Sequence, residues 1–206
     1  MLGRGRSAPR RPLAALALLA PLLCGCGTTH PHTLVSGIPR TRLDQTRPVG
    51  AGARFSPPAT GTVIGGCTSA LGERSATHVE VFAANRVVIL AAGIGVRAPS
   101  TPSAGRIAHA RCYGDLVTLE PTGVVLVRPG VHPVLSQLFH AWGQPLSRWQ
   151  LASFRAAPGT HVSVFVDGRR WHGSPGSVPL TTHAEVVLEV GSYVPPHTSF
   201  TFPPGA

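Results

Sequence analysis

The chain contains no lysine; all 18 of its basic residues are arginine. That reflects a GC-rich coding sequence more than any special arginine chemistry. Methionine occurs once, at Met1, which excludes copper storage through thioether ligands. No apolar run is long enough to span a bilayer: the longest near the N-terminus, residues 13–23, has eleven residues against the ~20 a spanning helix needs. No GxSxG elbow is present, so the Ser, His and acidic residues have no hydrolase framework. "GIG" at 93–95 lacks the third glycine and following helix of a dinucleotide loop. The seven acids beyond residue 60 are scattered, which disfavours a paired-carboxylate cleft.

What is present points to one β-rich domain. Gly (24) and Pro (21) make up about a fifth of the 206 residues, favouring turns and strands over long helices. The net charge of +10 is unevenly placed. Arg4, Arg6, Arg10 and Arg11 precede the apolar run, and Arg40, Arg42, Arg47 and Arg54 lie in a Pro/Gly-rich stretch. From residue 61 onward ten arginines face seven acids without a dense basic cluster, so nucleic acid is not an expected partner.

The N-terminal "RGRSAPRRPLAALALLAPLLCGC" has a basic start, a short apolar core and a cysteine-bearing end. "LCGC" resembles the bacterial lipobox, with Leu23 at −3, Gly25 at −1 and Cys26 as acceptor. The resemblance implies cleavage before Cys26, acylation of its thiol, and anchoring to the extracytoplasmic face of the cell membrane. Residues 1–25 are then a lipoprotein signal peptide, 26–60 a disordered tether rich in Thr, Pro and Gly, and 61–206 a single α+β domain. Two cysteines remain, Cys67 and Cys112; outside the cytoplasm they are expected to pair, and their separation excludes a CxxC redox or zinc motif.

One phrase is written twice, "ATHVEVFAANR" at 76–86 and "GTHVSVFVDGR" at 159–169. In both, β-branched residues alternate with others at period two, which predicts half-buried strands. Val79, Val81 and Ala83 share one face, and His78, Glu80 and Phe82 the other. Asp167-Gly168, and more weakly Ala84-Asn85, suit the positive φ of a tight hairpin turn. "DLVTLE-PTG-VVLVR" (115–128) predicts another hairpin. Leu135, Leu138, Phe139 and Trp142 form one helical stripe, ended by Gly143. "SVPL" and residues 183–191 supply further strands.

From residue 115 the order β-β-α-β-β-β resembles the β-grasp, or ubiquitin-like, fold: a small mixed sheet with one packed helix. The 78–91 hairpin is then expected as an N-terminal addition. From Cys67 onward, "HVEVF", "AAGIGV", "TGVVLV", "LSQLFHAWGQPLS", "VFVDGR", "SVPLTTHAEVVLEVG" and "FPPG" resemble an uncharacterised family of bacterial extracytoplasmic proteins. The resemblance implies a histidine-rich "HxHAHL" strand and an "LHTHD" motif leading to "GIIHIE", clusters suited to a metal. Here Arg74 and Ala76 stand where early histidines would fall, Val117 and Leu119 replace later ones, and Glu120 takes the aspartate position. Leu126 and Arg128 replace the final pair. The hydrocarbon substitutes have no lone pairs for a cation.

These patterns lead to an expectation of a lipid-anchored, non-catalytic binding module with no cofactor, its partner an unknown envelope protein or ligand. Asp167, Arg169, Arg170 and Trp171 form its candidate interaction surface. The alternative is a metal-binding envelope protein using His78, His161, His183 and Glu185; a further one is an envelope-acting enzyme. If the lipobox reading holds, Cys26→Ala abolishes incorporation of labelled palmitate and moves the protein from the membrane fraction to the soluble one.

Overall fold

A computed structural model describes residues 47–103, 105–193 and 195–203. The expected signal peptide, Cys26 and the expected tether up to residue 46 lie outside the described residues. The described chain is a mixed α+β structure, mostly strands, with one α-helix and several small sheets. None of its helices is long and apolar enough to cross a membrane.

The repeated phrase forms two hairpins, as its pattern predicts. In the first, β1 (Ser75–Ala83) turns through Ala84 and Asn85, at φ 51° and 60°, into β2 (Arg86–Val88). In the second, β10 (Ser163–Val166) turns through Asp167 and Gly168, at φ 49° and 75°, into β11 (Arg169–Arg170). Positive φ at both central residues gives each turn the twist that matches its strands. Both hairpins flank β12 (Glu185–Val190), β1 parallel to it and β10 antiparallel.

The main sheet has seven strands in the order β11-β10-β12-β1-β6-β5, where β5 is Leu116–Val117 and β6 is Val124–Val127. β2 shares an edge of β1 with β6: residues 75–78 pair with β6, residues 81–83 with β2. This corrects the expectation that the 78–91 hairpin is an addition. β1 is a central strand, and a local alternation cannot distinguish the middle of a sheet from its margin. "SVPL" is also corrected: it forms only an isolated bridge, Val134 to Pro179, instead of a strand.

On one face of the sheet lies α1 (Leu135–Trp142), burying Leu135, Leu138, Phe139 and Trp142 against Val79, Val81, Val164, Val186 and Leu188. Gln137 Oε1 accepts the Val134 N–H at 2.9 Å, covering one orphan donor at the helix start. Gly143, at φ 78°, closes the other end in the left-handed conformation. Behind the helix, residues 47–60 pack on the domain, which corrects the reading of a tether running to residue 60. Phe55 lies 4.9 Å from the Phe154 ring, and Pro57 O accepts the Trp142 indole N–H at 3.1 Å. A buried indole needs that acceptor, so this Pro-rich stretch is part of the fold.

Two smaller sheets complete the domain. β3 (Val96–Ser103) and β4 (Arg106–Tyr113) form an exposed hairpin. β7 (Leu146–Ser147), β8 (Gln150–Leu151) and β9 (Phe154–Arg155) form a short meander. Cys67 and Cys112 are paired, with Cα atoms 5.4 Å apart, tying the segment before β1 to the end of β4. The pairing agrees with the cysteine expectation.

The helix stripe carries the core. Phe139→Ala is expected to cost about 3–5 kcal/mol of unfolding free energy, because a fully buried ring leaves a cavity. Chemical denaturation of the disulfide-intact protein measures it.

Candidate metal centre

The parallel register of β1 and β12 sets His78 beside Glu185, residues 107 positions apart. Both point away from α1, onto the second face of the sheet. This face is covered too: His78 is 5% exposed and Glu185 only 1%. The cover comes from the C-terminal residues. Phe200 stacks on the His78 ring, centroids 3.7 Å apart and planes within 10°. Tyr193 packs edge-on against Phe165, and Phe202 against both Phe200 and His183. His197 Nδ1 lies 2.6 Å from Glu80 Oε2, so the tail is also tied down by a polar contact.

Gly123 supports the cluster from β6's side. Its carbonyl accepts the Val79 N–H at 2.9 Å, and its φ is +83°. A Cβ there would meet Val79 O at 2.6 Å and His78 Nε2 at 2.9 Å. Only glycine lets this turn approach the imidazole so closely.

The proton positions around His78 follow from its partners. Nε2 lies 2.9 Å from Thr122 O, which can only accept, so Nε2 carries a proton. Nδ1 lies 2.7 Å from Glu185 Oε2. One proton must sit between these two atoms, giving either imidazolium with carboxylate or neutral imidazole with carboxylic acid. Burial raises the Glu185 carboxyl above its ordinary pKa; the hydrogen bond and charge of His78 oppose this, Glu80 adds to it, and His197 opposes it. The second oxygen, Glu185 Oε1, is buried and has no hydrogen-bond partner among the described residues. An unsatisfied carboxylate oxygen in such a place is costly unless something else completes it.

His78, Glu80 and Glu185 each offer a ligand atom, all within 4.8 Å of one another. A tetrahedral ion with bonds of ~2.0–2.1 Å needs donors roughly 3.4 Å apart. Side-chain rotations of about an ångström close that gap. The His78 tautomer also fits: Nε2–H is held by a backbone carbonyl, leaving Nδ1 to face the cation. That is the outer-shell arrangement usual for a ligating histidine.

The four metal candidates read from sequence separate. His78 and Glu185 come together; His161 and His183 do not join them. His161 is exposed and contacts Arg170 at 2.9 Å. His183 stands before β12 begins, at φ 61°, so strand alternation does not place it on Glu185's face. Glu80 and His197 were absent from that set. Glu80 had a signal, sharing His78's face at i+2, whereas His197 sits in an aperiodic tail. Of the candidate interaction surface, Asp167 is occupied internally, its Oδ1 accepting the Glu185 N–H at 2.9 Å. Arg169 is exposed, while Arg170 and Trp171 line a cavity on another side of β10.

No protein-family model, curated protein or solved structure shows significant similarity to this chain.

Gly123→Ala tests the geometry. Strain at positive φ alone is expected to cost about 1–3 kcal/mol. The displaced His78 ring should appear as shifted imidazole resonances in NMR spectra of the folded variant.

Proposed function

We propose that this protein is a lipid-anchored, extracytoplasmic metal-binding module that holds one divalent transition-metal ion through His78, Glu80 and Glu185, with His197 as a fourth donor. The observation that carries it is the approach of His78, Glu80 and Glu185, whose donor atoms lie within 4.8 Å of one another, with Glu185 Oε1 buried and without a hydrogen-bond partner among the described residues. A set of imidazole and carboxylate donors without sulfur is one that zinc accepts. Three strand donors beneath a covering tail that supplies the fourth match a closed, non-catalytic site. The anchor itself rests on the lipobox at Cys26.

The strand order also supports a β-grasp reading, with assignments that differ from the sequence's. β1 and β6 then serve as the opening hairpin, α1 as the covering helix, and β10, β11 and β12 as the later strands, with β1 parallel to β12. β2, β3, β4 and β5 become insertions between the first two.

A second reading has its own support. Each carboxylate already has an imidazole at 2.6–2.7 Å, so the cluster works as an ionic lock that holds the tail. Metal analysis distinguishes the two. Untagged protein refolded with zinc is expected to retain one equivalent after desalting, by elemental analysis. Glu80→Gln and Glu185→Gln should each weaken zinc binding at least tenfold, while His161→Ala leaves it unchanged. Retention of no zinc by the wild type would leave the ionic lock as the reading. Coordination must displace the proton between His78 and Glu185, so affinity is expected to fall as pH drops. Competition titrations with a chromogenic chelator across pH 5.5–8 (~0.5-unit steps) measure this.

A further inference from the structure

On another side of β10, between β11, the 3-10 turn Pro175–Ser177 and the loop before β8, lies a cavity of about 710 Å³. That is within the range of small-molecule sites, roughly 300–1,000 Å³. Its polar lining includes Arg148, Arg170, His161, His172 and Ser163, with Trp171 as an aromatic wall. No carboxylate lines it. Five of the acids elsewhere have other partners: Glu80 and Glu185 meet imidazoles, Asp115 meets Arg128, Glu120 meets Arg106, and Asp167 meets a backbone N–H. The cavity therefore concentrates positive charge with no counter-charge from its own walls.

The groups are also oriented in advance. Arg170 can only donate, so its 2.9 Å contact makes His161 Nε2 the acceptor and places that ring's proton on Nδ1. The same guanidinium nitrogen lies 3.5 Å from Ser163 Oγ. The Trp171 indole N–H is fixed by Ser174 O at 3.2 Å, which holds the ring plane. Arg148 rests over the Trp149 ring, 5.2 Å from its centroid. The two guanidinium groups lining the cavity suit a tetrahedral oxyanion, to which arginine donates charge-assisted, paired hydrogen bonds. An indole wall suits the carbon part of the ligand.

We propose that this cavity binds the phosphate group of a phosphate ester, with Arg148 and Arg170 as the anion ligands and Trp171 against the attached carbon skeleton. The phosphate belongs either to a small soluble ester or to a lipid headgroup, and the same probes distinguish these sources. Disulfide-intact protein is titrated with sn-glycerol 3-phosphate, inorganic phosphate, and glucose as a neutral control, following indole N–H resonances. Saturable binding of glycerol 3-phosphate is expected, with glucose inert, and Arg170→Ala should weaken it at least tenfold. Arg169→Ala, which alters an exposed arginine outside the cavity lining, should leave it unchanged. Vesicles of phosphatidylglycerol and of phosphatidylcholine form the second arm, in a flotation assay with protein lacking the acyl group. Selective capture by phosphatidylglycerol that is lost in the Arg148→Ala/Arg170→Ala double variant assigns the phosphate to a lipid. Glycerol 3-phosphate binding without vesicle capture assigns it to a soluble ester. The proposal is overturned if neither arm shows saturable binding, if glucose binds equally well, or if the folded double variant binds as the wild type does.

Discussion

The parallel pairing of β1 with β12 is the constraint on which the rest of the structure depends. It sets Val79 beside Val186 and Val81 beside Leu188, giving α1 a continuous apolar floor. The same register, read on the opposite face, sets His78 beside Glu185. Shifting either strand by one residue would exchange the two faces and put charge under the helix. Core and candidate site are thus two sides of one alignment.

The opposite face explains why the C-terminal residues are structural. β12 is buried along its whole length, although Glu185 and Glu189 lie within it. Buried carboxylates must be matched by donors or opposite charge. His78 answers Glu185 from the neighbouring strand, and His197 answers Glu80 from the tail. Phe200 then excludes water over His78, and Phe202 packs against Phe200 and the exposed His183. Polar contacts fix the position of the tail, and aromatic contacts make it a cover.

Local features were legible in the sequence where chemistry acts over a few residues. Both hairpin turns, the α1 stripe, its Gly143 stop and the Cys67–Cys112 pair follow from nearby residue types. The role of β1 was not legible, since the same alternation serves a central or a marginal strand. Histidine and glutamate on its second face suggest water; the cover that excludes water comes from an aperiodic tail more than a hundred positions away. The exposed β3–β4 hairpin carries Pro99 and Pro102 and buries little, so it has no apolar period. Two-residue strands such as β7, β8 and β9 are too short to display one. Of the clustered residues, His78 and Glu185 stand out singly in the sequence, and Glu80 shares His78's face two positions on. Only His197 required knowing which distant segments meet.

That distance has a consequence for biosynthesis. The central strand emerges early, yet its neighbour β12 and the covering His197 come more than a hundred residues later. A nascent chain still held at the ribosome or in a translocation channel at residue 180 can close its first hairpin and wind α1, but its central sheet has no inner partner. The contacts of His78 with Glu185 and of Glu80 with His197 therefore come into existence only after almost the whole polypeptide has been released.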